Sequence, residues 1–77
     1  MVSQLDRFAR NLRKARLALG WTQEDLAAAS GLHFTAISLL ERAEREPRLS
    51  TVTRLASALE LDPYKLLAGI DGTAPLR

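Results

Sequence analysis

The sequence has no cysteine, a single histidine and no long apolar run. Without thiols it forms neither disulfides nor thiolate metal sites, and His33 alone cannot supply a zinc site, so no metal and no cofactor is expected. No stretch approaches the roughly 20 apolar residues of a membrane span, and the segment from Met1 to Arg10 is too charged for the apolar region of a signal peptide. The expectation is a soluble cytoplasmic chain that makes no use of a membrane. Glycine-rich phosphate loops are also missing, as is any cysteine nucleophile or histidine with a carboxylate relay. A chain of 77 residues that hides only about 60 to 65 per cent of its unfolded surface offers little concave pocket. An enzyme is therefore not expected.

What is present favours helix. Apolar residues make up 47% of the chain, leucine and alanine dominate, and only four glycines and three prolines interrupt them. The net charge is just +2, but it is segregated. Arg7, Arg10, Arg13, Lys14 and Arg16 crowd one early segment, and residues 17–41 contain no Lys or Arg. Such a stripe suits a polyanion, and it equally suits an ordinary solvated helix face.

Periodicity and capping predict five helices. Leu5, Phe8, Ala9, Leu12, Ala15 and Leu19 form one stripe of a first helix over about 3–19, with Ser3 as N-cap and Gly20 in the left-handed closing position. Thr22 caps a second helix, over about 23–29, whose first turn holds Glu24 and Asp25 at the positive end of the dipole. Ser30 and Gly31 end it after two turns. A third helix over about 33–41 buries Ala36, Ile37 and Leu40. Pro47 closes the polar loop that follows. A fourth helix is expected over about 51–59, capped by Ser50 and burying Val52, Leu55, Ala56 and Leu59. A fifth, over about 63–68, starts at the Asp62-Pro63 pair, buries Leu66 and Leu67 and stops at Gly69. Two short helices joined by so tight a glycine turn must cross steeply, which is helix-turn-helix geometry. Ala27 is small where they cross.

With Thr22-Gln23-Glu24, Leu26-Ala27, Ser30-Gly31, Ile37, Glu41-Arg42 and Pro47 in register, the chain resembles the Cro and lambda-repressor-like helix-turn-helix family over residues 8–68. The resemblance implies an all-α, compact five-helix DNA-binding domain over about 3–69, followed by a tail over 70–77. It also implies a transcriptional regulator that binds double-stranded DNA as a homodimer on a palindromic operator. In size the chain is similar to restriction-modification controller proteins and short phage repressors.

By that register the base-reading residues are His33, Phe34, Thr35, Ser38 and Leu39, and periodicity turns the same five away from the core face. Phe34 and Leu39 are the unusual members, because burying either side chain would gain about 1.5 to 3 kcal/mol. They call for a partner: thymine methyl groups in DNA, or a protein surface if the scaffold serves as an interaction module. Arginine, glutamine and asparagine are absent from these positions, so bidentate recognition of guanine or adenine is not expected. His33 reads equally as a helix cap.

The resemblance further implies DNA phosphate contacts from Gln23, Arg13, Arg42, Arg45 and Arg48, with Glu44 and Glu46 as rival partners for the loop arginines. It implies a partly buried salt bridge between Arg16 and Glu41. Glu24 and Asp25 occupy a place where some regulators of the family touch RNA polymerase, and they serve equally as dipole complements. Leu61, Tyr64, Leu67, Ile70 and Leu76 are assigned to the dimer surface, on the argument that no other region has spare apolar side chains.

Overall fold

The computed structural model describes residues 3–70 and shows five helices and, among the described residues, no strand. Helix α1 (Gln4–Ala18) begins in a capping box. The Asp6 N–H donates to Ser3 Oγ at 3.0 Å, and the Ser3 N–H donates to Asp6 Oδ2 at 3.3 Å. Helix α2 (Gln23–Ser30) repeats the device with Thr22 and Asp25, at 3.0 and 2.8 Å. Its end is Gly31 at φ +73°, where an added Cβ would meet nothing within 4 Å. Conformation rather than crowding therefore demands glycine there.

Helix α3 (Phe34–Glu41) starts one residue later than the periodicity indicates, because His33 is its N-cap. Helix α4 (Leu49–Ala58) corrects the expected start at Ser50. The Arg48 carbonyl accepts from both Thr51 and Val52 at 3.0 Å, and Arg48 is an N-cap without a side-chain bond. Burial of Val52, Leu55, Ala56 and Leu59 sets the helix register, and Ser50 falls inside the first turn.

Helix α5 (Pro63–Leu66) is a single turn capped by Asp62, whose Oδ1 accepts from the Tyr64 N–H at 3.1 Å. It is shorter than expected, closed at Leu67, whose N–H donates to the Tyr64 carbonyl. Asn11 Nδ2 donates to the carbonyls of Leu66 and Ala68, both at 2.9 Å, and so satisfies acceptors that the helix end leaves open.

One core joins these elements. Helix α1 packs on α3 and α5, and α4 packs on α2 and α5. Phe8, Leu12, Leu26, Ile37, Leu40, Leu55 and Leu66 fill the centre. Three expected members differ, the first being Leu67, expected to be buried in the fifth helix but 40% exposed just past the last residue of α5. Leu19 is 48% exposed, since α1 stops at Ala18 and the left-handed Gly20 carries the chain away from the core. Ala36 is only half-buried, at the edge of the α3 contact.

Ala43, just after α3, has φ +58°. Left-handed backbone costs a residue with a Cβ about 1 kcal/mol or more, and glycine escapes it. Ala43→Gly is expected to stabilise the fold by about 0.5 to 1 kcal/mol, a rise of about 4 °C in thermal melts followed by circular dichroism. A lower melting temperature would contradict this account of the turn.

Candidate nucleic-acid interface

The junction of α1, α2 and α3 is built around one buried ion pair. Arg16 Nε donates to Glu41 Oε2 at 2.7 Å and its second terminal nitrogen to Oε1 at 2.9 Å, a two-pronged contact. The remaining guanidinium nitrogen donates to the Trp21 carbonyl at 2.7 Å, just before α2 begins. The side chains of Arg16 and Glu41 are 9% and 3% exposed. Gln23, first residue of α2, completes the cluster by donating from Nε2 to Glu41 Oε1 at 3.1 Å. No buried side-chain polar atom among the described residues lacks a partner. The hydrogen bond that Arg16 donates to Glu41 raises the Arg16 pKa above the ordinary arginine value against an opposing desolvation effect, and the carboxylate's charge raises it further.

This cluster fixes which way α2 and α3 point. At the start of α3, His33 Nδ1 accepts from the Thr35 N–H at 3.3 Å, which leaves Nε2 as the ring donor. His33, Phe34 and Thr35 are exposed, Phe34 at 45%. Ser38 and Leu39 are half-buried rather than turned outward. Each sits about 100° around the helix from a core residue, Ser38 from Ile37 and Leu39 from Leu40, and so lies on a flank of the exposed face. The expectation of a fully presented Leu39 is corrected accordingly. Beside α3, a groove of 410 Å³ is lined by Leu32, Ala36, Arg45 and Arg48 among others, which brings two loop arginines alongside α3.

A helix-turn-helix family model matches residues 12–66. The chain belongs to the helix-turn-helix family. Control protein C.SmaI of Serratia marcescens is 48% identical over 59 residues, 77% of this chain and 70% of that protein. A hypothetical transcription factor of Neisseria meningitidis is 41% identical over 59 residues, covering 77% of this chain and 56% of its own length. The chain thus spans little more than half of that relative. Among solved structures, the restriction-modification controller protein C.AhdI of Aeromonas hydrophila matches with a TM-score of 0.79 at 39% identity, over 80% of this chain and 94% of that one.

Within this helix-turn-helix frame the other residues singled out by sequence fall into three groups. Gln23 is tied to Glu41, yet its amide keeps a second N–H. Arg42 makes an exposed 3.6 Å ion pair with Glu44 and a long bond to the Ser38 carbonyl, and is thereby drawn into its own loop. Asp25 is committed to the Thr22 cap, while Glu24 is exposed.

The surface assigned to dimer contact is changed in detail. Tyr64 and Leu67 are 76% and 40% exposed, whereas Leu61 and Ile70 pack against the core, and Leu76 lies outside the described residues. The elimination argument behind that assignment does not hold. Leu49 is 79% exposed, and Leu17 and Leu19 are 52% and 48% exposed at the end of α1. Leu49, Pro47, Leu67 and Ile70 line one apolar groove of 550 Å³. Leu49 was missed because a capping Ser50 puts it outside the helix, where its periodicity is not counted. Among the described residues, no cluster of histidine, cysteine and carboxylates is arranged for a metal ion, and no helix is long and apolar enough to cross a membrane.

Proposed function

We propose that this chain is a cytoplasmic, sequence-specific transcriptional regulator that binds double-stranded DNA as a homodimer on a palindromic operator, with α3 in the major groove. The observation that carries the reading is the exposed start of α3: His33, Phe34 and Thr35, with Gln23 and the free N–H groups of α2 on one side and Arg45 and Arg48 on the other. Helix α3 reads bases through hydroxyl groups, the His33 Nε2–H and apolar contact of Phe34 with thymine methyls. Ser38 and Leu39 extend that contact from the flank. Gln23, held by Glu41, directs its second N–H at a phosphate, and Arg13, Arg42, Arg45 and Arg48 supply further backbone contacts. Tyr64 and Leu67, continued by Leu49, form the dimer surface that sets two reading helices about 34 Å apart. Similarity to C.SmaI and C.AhdI supports a controller role. Of the acidic pair, Glu24 is the residue of α2 left for a contact with RNA polymerase.

The test is selection from a pool of random duplexes at low salt, followed by titration of the selected site. Wild type enriches a palindrome, and Phe34→Ala weakens binding to it by about 10- to 100-fold, the worth of about 1 to 3 kcal/mol in base discrimination. Its binding to unrelated duplex and its melting temperature stay close to wild type, because Phe34 is already 45% exposed. Failure to enrich any sequence overturns the reading in favour of a protein-interaction module, whose contacts through Phe34 are insensitive to salt.

A further inference from the structure

A second cationic surface lies outside the reading helix. An open groove of 740 Å³ runs between α1 and the end of α3. Arg10, Arg13 and Lys14 from α1 and Arg42 from beyond α3 line it, and Ala9, Leu17 and Ala43 make its apolar part. The two carboxylates that also line it are already engaged. Asp6 accepts from the Ser3 backbone at 3.3 Å and hydroxyl at 2.9 Å, and Glu41 is held by Arg16 and Gln23. Arg10, Arg13 and Lys14 are exposed and have no ion-pair partner among the described residues. Four cations against two carboxylates, one of them held by the buried Arg16, leave the groove net electropositive, with Arg10, Arg13 and Lys14 as its unpaired charges.

We propose that this groove binds the phosphate backbone of DNA flanking the operator, with Arg10 and Lys14 as the contacts that lengthen the footprint. The inference rests on the DNA-binding reading above and names residues that the reading helix does not need. Its position supplies the argument for DNA over other polyanions. Glu41 borders the groove and bonds to Gln23, so the groove opens beside the N-terminus of α2, where the phosphate contact of the operator strand is placed. A backbone held at α2 and continued past it meets the α1 cations next. Arg10 and Lys14 are one helical turn apart, about 6 Å along the axis, and present their charge as a row. Contacts of this kind carry no base specificity and add affinity that salt removes.

The experiment compares two labelled duplexes, the selected operator alone and the operator extended by about 10 base pairs on each side. Wild type binds the extended duplex about tenfold more tightly at low salt, with a steeper dependence of affinity on salt. The double variant Arg10→Gln, Lys14→Gln binds the short duplex as wild type does. On the extended duplex it loses the tenfold gain, and its salt slope falls by about 1.8 per protomer, at about 0.9 for each of two phosphates. An unchanged slope on the extended duplex overturns the groove's role and leaves the operator reading intact. No binding of either duplex by wild type overturns both. Capture of a polyglutamate probe that the double variant loses, with both duplexes bound as by wild type, assigns the groove to an acidic protein and overturns the proposal.

Discussion

Glu41→Gln lowers the melting temperature by about 15 °C, the equivalent of about 3 kcal/mol in a domain of this size. The carboxylate is 3% exposed and receives two bonds from Arg16 and one from Gln23. A neutral amide preserves the shape but leaves the Arg16 cation buried without its counter-charge, and the amide's own N–H groups face donors. Thermal melts with circular dichroism measure the loss, and a variant that melts with wild type would show the pair to be dispensable. The loss is also independent of pH across the neutral and mildly alkaline range. The Arg16 pKa is raised in the fold, chiefly by the Glu41 hydrogen bond, so its stabilising contribution is present below the unfolded arginine value. It disappears only as pH rises through the still higher folded value. The gap between wild type and Glu41→Gln should hold steady from about pH 6 to pH 10. Replacing both partners, as Arg16→Met with Glu41→Leu, recovers only part of the loss, because the Trp21 carbonyl and the Gln23 amide then have no partner.

Leu40→Ala is the second large effect, about 3 to 4 kcal/mol. Leu40 is 1% exposed and, with Ile37, seats α3 against the core. At about 0.05 to 0.15 kcal/mol per residue the whole domain is worth only about 4 to 12 kcal/mol, so the cavity removes about a quarter or more of it. Urea unfolding should show a much lower midpoint with little change in slope. The same substitution at the neighbouring half-buried Leu39 is expected to cost well under half as much. Equal losses at the two positions would mean that α3 does not present the face described above. On the proposed DNA-binding function, a loss of operator affinity should accompany Leu40→Ala, as α3 loses its footing.

The contrast between Leu39 and Leu40 marks how far a linear reading reaches. Spacing alone separates Ile37 and Leu40 from the rest of α3, because one face of a short helix must be buried whatever lies against it. It does not grade the flanks, where Ser38 and Leu39 are half-covered by the way the domain closes. Caps behave similarly. The boxes at Ser3 and Thr22 are local, four residues long, and visible in the sequence. Ser50 has the same chemistry and does not cap, since burial of Val52 and Leu55 sets the register of α4. The link from Arg16 to Glu41 crosses 25 positions, and no periodicity relates them; it came from resemblance to a family.

Five helices, their order and the tight turn at Gly31 follow from composition, spacing and capping, because each depends on contacts within a few residues of chain. The open carbonyls after α5 are satisfied by an asparagine 55 residues away, and where α1 leaves apolar side chains exposed depends on the left-handed turn after it. The electropositive character of the α1 groove is tertiary in the same sense. The stripe of Arg10, Arg13 and Lys14 is plain in the sequence, but folding assigns Asp6 to Ser3 and Glu41 to Arg16 and leaves those three cations unpaired. Helix and cap are local equilibria, whereas pairing and exposure depend on which distant groups the core brings together.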